Sequence, residues 1–134
     1  MSKRKQRIEA INFLYAHYVM NLEKEDFLKT INNGVGISET ISEEIINLGI
    51  NVLKKEDEIV AKINEKLKHG WTFERLSNYH KAILLLGIFE INFLKIDKPI
   101  IVNEVLEILE KTSDNEDYNY INAILDGVKF ENNS

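Results

Sequence analysis

Apolar residues recur in this chain at steps of three and four along most of its length, and Pro99 is its one proline. That spacing lines one face of a 3.6-residue helix, whereas a half-buried strand would need strict alternation. An all-α fold is the economical reading. The first helix is predicted from Arg4 to Leu22, with Ile8, Ile11, Leu14, Tyr15, Tyr18 and Leu22 as its apolar stripe and Glu9, Asn12 and Asn21 opposite. A short second helix is expected near Asp26 to Asn32, stopped by Asn33-Gly34-Val35-Gly36. Hydroxyl caps between Ser38 and Ser42 open the next pattern. It runs through Ile45, Ile46, Leu48, Gly49, Val52, Leu53, Ile59, Val60, Ile63 and Leu67 and ends at His69-Gly70.

The second half opens on Trp71-Thr72-Phe73-Glu74-Arg75-Leu76, where Thr72 is placed to cap a short helix and Trp71 to lie across its entrance. The most apolar helix follows, about Tyr79 to Leu94. Its stretch Ala82 to Phe89 lacks any charge, which marks it as central and packed on several sides. Gly87 in its middle costs about 1 kcal/mol of helix propensity against Ala, a cost that close approach of a neighbouring helix offsets. Pro99 suits the first turn of the next helix, because the N–H it lacks would have no partner there. That helix buries Ile101, Val102, Val105, Leu106, Ile108 and Leu109. Thr112-Ser113-Asp114 breaks the pattern, and Ser113 or Asp114 can cap a last helix built on Tyr118, Ile121, Ile124, Leu125 and Val128. The tail, Glu131 to Ser134, is expected to be disordered.

The organisation expected is an N-terminal helical subdomain over residues 1–70 and a C-terminal one over 71–130. No long linker separates them, so the halves should pack on each other; alone, each of about 65 residues would be marginal by the scaling of buried surface with size. No apolar run is long enough to span a bilayer. The start, Ser2-Lys3-Arg4-Lys5-Gln6-Arg7, continues as an amphipathic pattern and not as an export signal. With no cysteine, disulfides and thiolate metal sites are excluded, which fits a reducing cytoplasm.

Enzyme chemistry finds little support. His17, His69 and His80 have no His or Glu at zinc or di-iron helix spacing. Gly34-Val35-Gly36 lacks the third glycine and preceding strand of a dinucleotide loop, and no Gly-Lys-Ser/Thr phosphate loop or nucleophile motif occurs. Carboxylate pairs such as Glu104 with Glu107, or Glu43 with Glu44, have the commonplace reading of solvated helix faces. Neither a cofactor nor a metal is expected, and the chain reads as noncatalytic.

What stands out is a basic N-terminus on a chain of net charge −5. Lys3, Arg4, Lys5 and Arg7 cluster before the first acidic residue, Glu9, and Lys3, Arg4 and Arg7 share one helical face. Cations at a helix N-terminus oppose the dipole by about 0.3–1 kcal/mol each. An anion placed there would reverse that cost, with phosphate oxygens taking the guanidinium forks and free N–H groups. The plainer alternative is a solvated, frayed terminus.

In order along the C-terminal half stand Trp71 to Leu76, Lys81-Ala82-Ile83-Leu84, Gly87-Ile88-Phe89-Glu90-Ile91, Pro99 to Val102-Asn103-Glu104, and Tyr120-Ile121-Asn122-Ala123-Ile124-Leu125-Asp126. As an ordered set these resemble the NusB family of bacterial transcription antitermination factors. The resemblance implies two small helical bundles forming one body. It also implies a noncatalytic cytoplasmic adaptor that binds boxA RNA together with NusE, a small-subunit ribosomal protein, and so acts on the RNA polymerase elongation complex and ribosomal RNA transcription. Some relatives self-associate when free, so a homodimer is a further expectation.

Carried over residue by residue, the family's Arg-rich segment falls on Arg4, Arg7, Ala10, Asn12, Leu14 and Tyr15, with Lys3 and Lys5 in place of arginines, Ile8 in place of the usual Glu and Asn12 in place of Gln. Lysine keeps the charge but loses the planar fork. Tyr15 is open to two readings, a base-stacking ring or a core aromatic. In the last helix the family's Lys and Phe fall on Asn119 and Tyr120, and Ala123 replaces Gly. The RNA-binding set is therefore Lys3, Arg4, Lys5, Arg7, Tyr15, Asn119 and Tyr120. The partner-binding set, around the start of the central helix, is Tyr79, His80 and Leu84. His80 stands where the family often has an acid, Leu85 where it has Arg, and Glu110 where Lys is common. Glu90 and Asn103-Glu104 are expected to be structural, tying the central helix to its neighbour. Two alternatives stay open: a helical protein-interaction scaffold without RNA binding, and the NusB-like accessory domain of an RNA cytosine methyltransferase, for which the sequence shows no catalytic domain.

Overall fold

The computed structural model describes residues 3–32, 41–67, 70–112 and 117–130. Among them are seven α-helices and no strand: α1 (Lys3–Met20), α2 (Lys24–Asn32), α3 (Glu43–Lys54), α4 (Glu56–Lys66), α5 (Asn78–Asn92), α6 (Lys98–Thr112) and α7 (Asp117–Gly127), with a 3-10 turn at Phe73–Arg75. The expected stop at Asn33-Gly34-Val35-Gly36, the hydroxyl at Ser38, His69, the caps at Ser113 or Asp114, the side chain of Tyr118 and the tail Glu131 to Ser134 lie outside the described residues.

α5 is the axis of the fold. Every residue from Ala82 to Glu90 is buried, because α1, α3, α4, α6 and α7 all pack against it. Ser77 starts it by accepting a hydrogen bond from the His80 N–H at 3.2 Å. At the other end Lys95 takes a left-handed conformation (φ 58°), and the Ile96 N–H reaches back to the Glu90 carbonyl at 3.0 Å. This six-residue closure ends the helix and turns the chain into α6. Pro99 sits in the first turn of α6 as expected. Gly87 is a point of close approach: a Cβ there would stand 2.9 Å from Leu125 Cδ2 of α7.

Three local expectations change. The long pattern after Ser42 divides at Lys55 (φ −102°, ψ 4°) into α3 and α4, so the apolar residues on either side face the core from two directions. Thr72 makes no side-chain cap; the Phe73 N–H instead donates to Asn64 Oδ1 at 2.8 Å, and Trp71 is largely exposed. The buried face of α1 is turned from the predicted stripe. Arg7, Ala10, Ile11, Phe13, Leu14 and His17 are inside, whereas Ile8 is 37% and Tyr15 40% exposed. The rotation follows from what meets α1. Phe13 packs closely against Gly49 of α3 and edge-on to Phe27 of α2, and Arg7 meets a carboxylate of α5.

Candidate functional site

The basic end of α1 meets the acidic face of α6. Glu104 and Glu107 are three residues apart on that helix, as are Arg4 and Arg7 on α1, so the two pairs stand opposite each other. Arg4 Nε donates to Glu104 Oε1 at 3.2 Å and Nη2 to Oε2 at 2.9 Å, a two-pronged fork, and Nη2 also pairs with Glu107. Arg7 is inside. Its Nε donates to both oxygens of Glu90 at 3.1 Å, and its Nη1 lies 3.5 Å from Glu104 Oε1.

The electrostatics follow the geometry. The Arg4 hydrogen bonds hold the Glu104 carboxyl below the usual carboxylate range, with Arg7 adding to the effect, and Glu104 in turn raises the Arg4 guanidinium. Burial pushes the Glu90 carboxyl up, and Arg7 opposes that push. The anionic partners of the two guanidinium groups at this end are therefore the chain's own glutamates. Lys3 and Lys5 remain exposed on α1. Lys3, Arg4, Arg7, Ile96, Ile100 and Glu104 line an open hollow of about 600 Å³.

The second group of predicted residues gathers at the start of α5. Tyr15 of α1 and Tyr79 stand edge-on with ring centroids 5.9 Å apart. His80 Nδ1 and the Tyr120 hydroxyl share a hydrogen bond, and their rings are also edge-on at 5.6 Å. Tyr79 and Tyr120 are half-buried and Asn119 is exposed. Leu84, expected at a partner surface, is 0% exposed and packs in the core, one turn too far along α5 to reach solvent. Tyr15 resolves toward the surface: the turn of α1 that buries Phe13 and His17 carries it outward. Of the residues expected to tie the central helix to its neighbour, Glu90 and Glu104 bond to Arg7 and Arg4 of α1, whereas Asn103 is exposed.

Sequence reasoning missed a polar cluster at the C-terminal end of α1. The Tyr18 hydroxyl donates to Glu56 Oε2 at 2.6 Å, with His17 Nε2 and Lys24 Nζ each 3.6 Å from that carboxylate. Burial raises the Glu56 carboxyl, but His17, Tyr18 and Lys24 outweigh it and hold the group below its ordinary range. Burial and the carboxylates of Glu56 and Glu74 push the Tyr18 phenol far up. In the sequence Glu56 is the first of three consecutive acids, Glu56-Asp57-Glu58, and nothing local sets it apart from its neighbours. Among the described residues no group of three or more His, Asp or Glu is arranged to hold a metal ion. No described helix is long and apolar enough to cross a membrane.

Comparison with known proteins gives one consistent result. A family model described as the NusB family matches residues 4–130. The transcription antitermination protein NusB of Nitratiruptor is 30% identical over 132 residues, covering 98% of this chain and 94% of its own length. That of Helicobacter pylori is 41% identical over 83 residues, 62% of this chain and 59% of its own. The solved structure of T. maritima NusB is similar at a TM-score of 0.72 and 21% identity, covering 96% of this chain and 90% of that one. A structure of antitermination factors NusB and NusE in complex with dsRNA is similar at a TM-score of 0.70 and 20% identity, covering 96% of this chain and 97% of the matched one.

Proposed function

Because this chain belongs to the NusB family, we propose that it is a transcription antitermination factor: a noncatalytic, cytoplasmic adaptor that binds boxA-type RNA together with NusE. The observation that carries this reading is the full-length match to a relative named for antitermination. The fold supports it through a likeness to a NusB bound to NusE and dsRNA. In this reading residues 1–70 present the basic end and residues 71–130 the partner surface.

The chemistry divides the basic segment into two jobs. Arg4 and Arg7 fasten α1 to α5 and α6 through carboxylates. Lys3 and Lys5 carry the outward charge that meets phosphate. Neutralising one phosphate each, they would give a single-strand salt slope of about −1.4. That is a weak and sequence-blind attraction, so base selection falls to stacking rings and to the second protein. Tyr15, Tyr120 and Asn119 are the groups for bases, and the half-exposed Tyr79 stands where NusE is expected, with His80 buried behind it.

The functional test is transcription in vitro through a terminator, on templates with boxA and with a scrambled element. Addition of this protein with NusE should raise read-through on the boxA template alone. Equal read-through on both templates would overturn the reading and favour a scaffold without RNA binding.

A further inference from the structure

Two consecutive residues in the first turn of α5 each touch one tyrosine that comes from a different helix. Tyr79 meets Tyr15 of α1 edge-on, and His80 is joined to Tyr120 of α7 by a hydrogen bond and an edge-on ring contact. The turn that carries them is itself fixed. Ser77 Oγ accepts from the His80 N–H, the Ser77 carbonyl accepts from the Lys81 N–H at 3.0 Å, and the helix beyond is buried from Ala82 to Glu90. His80 is buried, whereas Tyr15 is exposed and Tyr120 partly so. The bracing residues therefore lie on the most constrained element of the fold, and the braced rings lie toward solvent.

We infer that Tyr79 and His80 are positioning residues for RNA: they hold Tyr15 and Tyr120 as preset stacking platforms, and so govern RNA affinity without touching the strand. This rests on the RNA-binding reading above. A tyrosine free to rotate loses side-chain freedom when a base stacks on it, and a ring already held by a neighbour does not. The His80–Tyr120 hydrogen bond fixes the ring at its far end, so the hydroxyl matters even though stacking needs only the ring face.

The test uses the whole protein and two RNA oligonucleotides, boxA-type and scrambled. Tyr120→Phe keeps the ring and removes only the hydroxyl; His80→Phe removes the other end of the bond. Each should weaken boxA binding by about 2- to 10-fold, the span of one net hydrogen bond. The double variant should bind no more weakly than the weaker single, because both remove the same interaction. Tyr15→Leu and Tyr79→Leu should show the same non-additivity. Thermal melts of Tyr120→Phe, the mildest change, establish that the variant is folded at the binding temperature. If the unmodified protein selects boxA but Tyr120→Phe binds as tightly, or if the single effects add in full, the positioning role is overturned and the adaptor function stands. If the unmodified protein does not select boxA, the adaptor reading itself fails, and the positioning role with it.

Discussion

Arg7 Nε donates to both carboxylate oxygens of Glu90, 83 residues away in sequence, with side chains only 9% and 7% exposed. This contact fixes the start of α1 against the most buried helix of the protein. It gives the basic N-terminus an architectural role that its position in the sequence does not suggest. Removing Arg7 strands Glu90 in the interior, and removing Glu90 leaves the buried Arg7 only its longer contact to Glu104. Arg7→Met or Glu90→Leu alone should destabilise the fold by about 3–5 kcal/mol. The double variant, which leaves no unpaired buried charge, should recover most of that loss. Urea denaturation of the three variants measures the difference.

The glycine of α3 should be less replaceable than that of α5. At Gly49 a Cβ would overlap the Phe13 ring, which is itself fully buried against Phe27. Gly49→Ala should cost about 2–3 kcal/mol net, because the ring has no vacant space to enter. At Gly87 the obstacle is the terminal methyl of Leu125, which a rotamer change can move. Gly87→Ala should cost less than about 1.5 kcal/mol once the gain in helix propensity is included. Denaturation midpoints rank the two.

Acid should loosen the junction of α1 and α4. The Glu56 carboxyl is held below its unfolded range in the folded chain. Its stabilising contribution is therefore complete above the unfolded glutamate value of about 4.3 and is lost as pH falls through the lower folded value. Glu90 runs the other way, since burial raises it, and its contribution diminishes as pH rises through its folded value. Glu56→Gln should lower stability at neutral pH and flatten its fall toward acid. Denaturant titrations from about pH 7 to about pH 3 display both effects.

Charge at the RNA face should separate by residue. Replacing Lys3 and Lys5 with Ala should reduce the salt slope of RNA binding by about 1.4 while leaving the unfolding midpoint nearly unchanged. Glu107→Gln removes a carboxylate charge from Arg4. It should steepen the slope, since more of the guanidinium charge then faces the strand.

The helices were legible in the sequence because apolar spacing and capping residues act locally: Ser42 caps α3 and Pro99 opens α6 as expected, while the cap at Ser77 of α5 went unread. The uncharged run Ala82 to Phe89 correctly marked the central helix. What local pattern could not reveal was the angle at which α1 lies. Arg7 and His17 are buried because partners from α5 and α4 meet them, and those partners are distant in sequence. A hydropathy stripe ranks Tyr15 above Arg7 for the interior, and the ion pair reverses that order. Leu84 shows the same limit from the other side. Its place near the start of α5 suggested a surface, but helices on several sides leave that run no exposed face.

The most direct test of the adaptor account is the affinity of this protein for boxA-type RNA and a scrambled control, with and without its NusE, over a series of salt concentrations. Binding that selects boxA, tightens with NusE and weakens as salt rises is expected. Stable binding to NusE with no preference between the two RNAs at any salt concentration would rule the account out.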